Sequence, residues 1–332
     1  MSTRIRTAVY RRIPASVYPW GMKKPLLLAT LATVLFVPLA ACHSDAVRDE
    51  PVAIAAGGQR PWFDGEYDNH EQSASAPGLS VPHVRFVITP LPQPGWYAWN
   101  VTQTGAGGLS TTWAISSFKS VNGSLSLTPY RALSKTPSLD QQFDPNQWVA
   151  LDACTLRGAV VADGVEAKAD LASCTTVAPG VGAAAALLPL SIQHDGESLR
   201  VRLYADQARG PDAQIVARKV KWYAGWAAIN GAGPDARADS TDWHMNRGLR
   251  IDNEGGSANL QWRDGKSSGY SLALERVTYR DGNVPVLKLS VIENASGHAI
   301  AYSWANPEAT RIGISLGWIQ VGLESSTSLP VR

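Results

Sequence analysis

The chain reads as all-β, and three observations carry that reading. Turn-forming and aromatic residues are plentiful, with 29 Gly, 21 Pro and 12 Trp in 332 residues. Short stretches alternate apolar and polar side chains with a period of two, which places one apolar face on each strand. Between them stand NGS, RDGN and ASGH, the chemistry of hairpins and loops.

In HVRFVI (83–88), Val84, Phe86 and Ile88 alternate with Arg85 and Val87; in SLRVRLYA (198–205), Leu199, Val201 and Leu203 alternate with Arg200, Arg202 and Tyr204. Runs of the same kind are 96–103, 124–130, 215–223, 270–279, 285–293, 299–305 and 311–323. In the last of these, Gly313 and Gly317 fall on one strand face and suggest a bend at a barrel corner. Many short strands with turn signals predict a barrel or a sandwich. Residues 180–190, GVGAAAALLPL, lack polar side chains and read either as a short helix or as a loop entering a buried strand. A small-residue stretch at 225–241 reads as a long connection or a soft boundary.

A formal charge of +2 and a charged fraction of 17% give no concentrated basic stripe, so a nucleic-acid partner is not expected. His70, His83 and His244 lack metal-ligand spacing, and no metal site is read. Nucleophile elbows, phosphate loops and dinucleotide fingerprints are absent from the sequence.

Residues 22–42, MKKPLLLATLATVLFVPLAAC, place two lysines before an apolar run that ends in LAAC. That order is an export signal, and the apolar run falls short of the roughly 20 residues of a membrane span. It resembles bacterial lipoprotein leaders, which implies a leader segment within 1–41, with Met22 as the expected start, and diacylation of Cys42. His43 after the cysteine implies, by the same resemblance, an outer-membrane lipoprotein facing the periplasm. Residues 43–60 read as a tether. Cys154 and Cys174 remain, and an even pair in an exported chain predicts a disulfide.

The stretch WFDGEYDNHEQ (62–72) gathers polar side chains near the mature start. Asp68 and Asn69 either close a turn or form one wall of a site. Together with PHVRFVITPLP, WYAWNVTQ, TPYRAL, DACTLRG and ASC in that order, GEYDNHEQ resembles the CpcT/CpeT family, known for phycobiliprotein chromophore lyases, over roughly residues 62–205. Ala132 departs from the glutamine that follows the family's PYR.

The resemblance implies an antiparallel, calyx-like (lipocalin-like) barrel over 61–224, with additional C-terminal strands over 225–332, within the same unit or beyond a boundary. It also implies a cavity for a tetrapyrrole-like ligand. Such a ligand has N–H donors and carboxylates. Glu66, Asp68, Asn69 and Gln72 would meet the donors, and Arg85 and Arg131 would grip the carboxylates. Trp96, Tyr97, Trp99 and Tyr130 would supply apolar walls. Three functional readings follow: a lipoprotein that binds a small, partly apolar anion; a bilin lyase-type enzyme acting on a partner protein; and a Trp-rich carbohydrate-binding lipoprotein.

Overall fold

The computed structural model describes residues 63–75, 81–105, 108–119, 123–134, 137–140, 142–161, 164–279 and 284–326. The expected leader, Cys42 and the tether lie outside the described residues. Among the described residues no helix is long and apolar enough to cross a membrane.

The chain first builds β1 (Gly65–Asp68), α1 (His70–Ser75), β2 (His83–Pro90), β3 (Trp96–Thr104), β4 (Leu109–Lys119), β5 (Ser124–Ala132), β6 (Trp148–Ala150), β7 (Leu156–Val161), β8 (Gly164–Lys168), α2 (Leu171–Val177), β9 (Pro189–His194), β10 (Ser198–Leu203) and β11 (Ile215–Lys219). Ten of these strands form a closed antiparallel barrel in the order β4-β3-β2-β1-β11-β10-β9-β8-β7-β5, with β4 pairing back onto β5. β6 extends the sheet beside β5. The expected all-β barrel is therefore present.

The period-two pattern sends one side-chain set inward. Tyr67 stands opposite Phe86, which stands opposite Val101; Ile88 stands opposite Trp99, which stands opposite Trp113. All of these are buried in one apolar cluster with Leu127, Ile192, Val201 and Ile215. Residues Ala178–Leu187 form a 3-10 stretch, broken where Gly182 takes φ +76, and lead into β9. The Trp113 indole Nε1 donates to the Leu187 carbonyl at 3.1 Å, so this stretch is bonded to a side chain of the barrel core.

A second β system follows: β12 (Trp222–Asn230), β13 (Trp243–Asp252), β14 (Glu254–Gln261), β15 (Ser267–Thr278), β16 (Pro285–Glu293), β17 (His298–Ala305), β18 (Arg311–Ser315) and β19 (Ile319–Ser326). They make two four-stranded sheets, β13-β12-β19-β18 and β14-β15-β16-β17. Tyr223, Ile229, Ile319 and Leu323 of one sheet share an apolar core with Leu272, Leu274, Leu287 and Leu289 of the other. The pair is a β-sandwich. Barrel and sandwich both fall within one compact unit.

Three sequence expectations are corrected. Run 215–223 is two strands, because Val220 N donates to Glu66 O and Lys221 N to the Asn253 side chain, which takes the chain out of the barrel. The passage from barrel to sandwich therefore lies at 220–221, and Gly225–Asn230 belong to β12 instead of a loop. Run 311–323 is a hairpin, β18 and β19, in which Leu316 N donates to Ile319 O and Gly317 sits in the turn, so that glycine marks no barrel corner.

Cys154 and Cys174, 20 positions apart in sequence, form the expected disulfide, with Cα atoms 4.5 Å apart. It ties the 3-10 turn Asp152–Cys154 to α2 beside the barrel core. The double substitution Cys154→Ser, Cys174→Ser is expected to lower unfolding free energy by about 3 kcal/mol in the loop-entropy model. Urea melts of both proteins measure it, and coincident midpoints would contradict a stabilising cross-link.

Candidate functional site

The polar stretch 66–72 lies where barrel and sandwich meet. Tyr67 points into the barrel, so its neighbours Glu66 and Asp68 point outward. Beyond them Asn69 acts as a backbone splice: Oδ1 accepts from Val84 N at 2.6 Å, and Nδ2 donates to Pro82 O at 2.9 Å and to Gln72 Oε1 at 3.1 Å. Gln72 in turn accepts from Val216 N and donates to Gln214 O, fixing α1 against β11. Asp68 accepts from His70 N at 2.8 Å and meets His83 Nε2 at 2.7 Å. Turn closure is thus the observed use of the Asp68–Asn69 pair.

Charged side chains then bridge to the sandwich. Arg85 donates to Glu66 at 2.7 Å and to Asp252 at 3.0 Å, and lies 3.8 Å from Asp68. Arg218 pairs with Glu71 and, at 2.8 Å, with Glu254, and also donates to the Arg276 carbonyl. Glu71 further accepts from Thr278 N. His70 meets Glu275, which also holds Lys288 at 2.8 Å. Asp68, Asp252 and Glu254 are each at most 5% exposed, so their charges depend on these partners. Gly255 belongs to the same contact: with φ +83, a Cβ there would fall 2.5 Å from His70 Nδ1.

Protonation follows burial and pairing. Burial pushes the Glu254 carboxyl up to about 7 in spite of Arg218, and its Oε1 has no hydrogen-bond partner among the described residues. The hydrogen bond from His70 holds Glu275 down at about 2, and Glu275 raises His70 in return.

The expected ligand-binding set does not converge. Glu66, Asp68, Asn69, Gln72 and Arg85 were expected to line the barrel's cavity; they stand on its outer side because the inward parity belongs to Tyr67, Val84 and Phe86. Arg131 is exposed on β5, where Val149 is its cross-strand neighbour, and has no part in the cluster around Arg85. Tyr97 and Trp99 are core residues inside the barrel, packed edge-on against Phe63. Trp96 and Tyr130 pack together outside it, at 4.6 Å, in a small cluster with Phe143 and Trp148. Inside the barrel, Tyr67 Oη and His194 Nε2 share a hydrogen bond at 3.0 Å. Among the described residues no group of His, Cys, Asp and Glu side chains could hold a metal ion.

A groove opens along the same junction, with a volume of about 530 Å³. Pro90 and Trp222 give it apolar surface, and Asp64 and Lys219 give it polar groups. Lys221 pairs with Glu308 at its rim, and Glu66 is held by Arg85 and the Trp222 Nε1. Lys219 has neither an ion pair nor a side-chain hydrogen bond among the described residues. The sequence carried a signal for it: Ile215 and Ala217 face the barrel core, and Lys219 breaks that apolar alternation two residues later. No family model, curated protein or solved structure matches the chain.

Replacing Arg85 with Met leaves Glu66 and Asp252 short of a cation, and should cost about 2–3 kcal/mol, at or below the lower end for a broken buried pair because Arg85 is partly solvated. Denaturant melts test this, and a change below about 0.5 kcal/mol, the range of ordinary surface substitutions, would remove Arg85 from the junction's supports.

The pH dependence has a defined sign. A carboxyl raised from 4.5 to about 7 binds its proton more tightly in the folded chain, so its contribution is full below pH 4.5 and is lost as pH rises to about 7. Glu254→Gln removes that titration. The variant should gain stability relative to the native chain between pH 5 and pH 8, read as the difference of two melts; a constant difference would contradict it.

Proposed function

We propose that this chain is an exported, lipid-anchored binding protein whose ligand is a small, partly apolar molecule carrying both an acid group and N–H donors, as a linear tetrapyrrole does. Its site is the groove between barrel and sandwich. The observation that carries the reading is Lys219, a cation without an ion pair among the described residues, on a groove whose volume of about 530 Å³ lies within the usual range for small-molecule sites. Lys219 meets the acid group, Asp64 accepts from the N–H donors, and Pro90 and Trp222 cover the apolar body. The ordered CpcT/CpeT-like motifs of residues 62–205 support the ligand class. The LAAC leader and the disulfide support an oxidising compartment and an outer-membrane anchor at Cys42 facing the periplasm.

Titration of biliverdin, followed by ligand absorbance, tests this. Lys219→Met should weaken binding by about 1.5–3 kcal/mol, the worth of a charged hydrogen bond, with little change in melting. Arg131→Met should bind like the native chain. Equal affinities for native and Lys219→Met proteins would overturn the assignment.

A further inference from the structure

β17 is an edge of the sheet β14-β15-β16-β17 and, among the described residues, pairs only with β16. Its sequence, HAIAYSWA, contains no Lys, Arg, Asp, Glu or Pro. Open edges of this kind are normally guarded by charge, proline or shortness, since a row of unpaired N–H and C=O groups invites another strand. The sandwich's other edges carry such guards. β13 presents Arg247 and Arg250, β18 has only five residues, and β14 is polar and contains two glycines.

Beside the open edge lies exposed aromatic surface. Tyr302 is 61% exposed and Trp304 42%, with rings 5.5 Å apart and inclined by only 22°. Tyr279, 52% exposed, packs edge-on against Trp304 at 4.5 Å. A bulge at Ile300 interrupts the pairing with β16 and leaves that side chain 42% exposed on the same strand. Arg311 on the neighbouring edge is neutralised by Glu324, so little charge opposes an approaching surface.

We propose that β17 is a self-association edge, pairing antiparallel with β17 of a second copy about a twofold axis through Tyr302. A second copy fits because one operation satisfies both open edges at once. In that register Ala301 faces Ser303 of the second copy, Ile300 faces Trp304 of the second copy, and the two Tyr302 rings meet. Aromatic pairs and aromatic–β-branched pairs are the favourable cross-strand neighbours. The two sheets join into one of eight strands. Seven paired residues span about 24 Å, and across a height of roughly 20 Å for two layers they cover on the order of 1,000 Å² in total, the lower bound for a stable dimer.

The test uses the full-length chain in mild detergent. Sedimentation at tens of micromolar should show a dimer. Ile300→Lys, which adds a guard charge at an exposed position, should weaken dimerisation on the order of tenfold or more with an unchanged melt. Met245→Lys, on β13, should leave the dimer intact. Mild oxidation of Tyr302→Cys should cross-link two copies, with the unsubstituted chain as the control for other thiols. A native chain that stays monomeric would overturn the proposal. So would a dimer that survives Ile300→Lys, or a Tyr302→Cys chain that gives no cross-link beyond the control.

Discussion

Two arginines on the outside of the barrel hold this molecule's two β systems to one another. Arg85 and Arg218 come from barrel strands, and their carboxylate partners come from both sides: Glu66, Asp68 and Glu71 from the first strand and helix, Asp252 and Glu254 from the sandwich. Each system has its own apolar core, so hydrophobic burial alone would leave their mutual orientation weakly specified. Nearly buried carboxylates are costly without a cation, and that cost makes one docking geometry much better than its neighbours. Everything at the junction, including the groove beside it, inherits its position from those pairs.

Where one strand face was apolar and the other wet, the sequence was a sufficient guide. Strands β2, β5, β10 and β16 all fall on stretches whose alternation is plain. β4 was not visible, because its outer face is also partly covered: Ala114, between Trp113 and Ile115, sits under the Trp96–Trp148 cluster and blurs the alternation. β14 was hidden for the opposite reason, since Leu260 is its only buried apolar residue and its glycines read as loop. The two merged runs failed at places where backbone N–H groups are captured by side chains or carbonyls far away in sequence.

Polar residues were harder to place than apolar ones. The stretch 66–72 stands out by composition, but its polar side chains alternate with Tyr67, and only the barrel's closure decides which parity is inside. An arginine on a strand reads alike whether it meets a ligand or a carboxylate 167 residues further on, as Arg85 does with Asp252. Lys219 was legible in principle, as a charge at an apolar position of an otherwise regular strand.

The barrel closes through β1 and β11, with Tyr67 opposite Lys219 and Asp68 opposite Arg218. About 150 residues separate the two strands, a span that places closure among the slow, non-local events of folding. During synthesis β1 emerges early, carrying the buried Tyr67 and the acidic residues of the junction, and its partner emerges near the end of the barrel segment. Until then β1 has β2 on one side and an open edge on the other. An open strand that carries Glu66 and Asp68 on one face repels copies of itself, so charges that lock the finished molecule also act as a guard against aggregation while it is still incomplete.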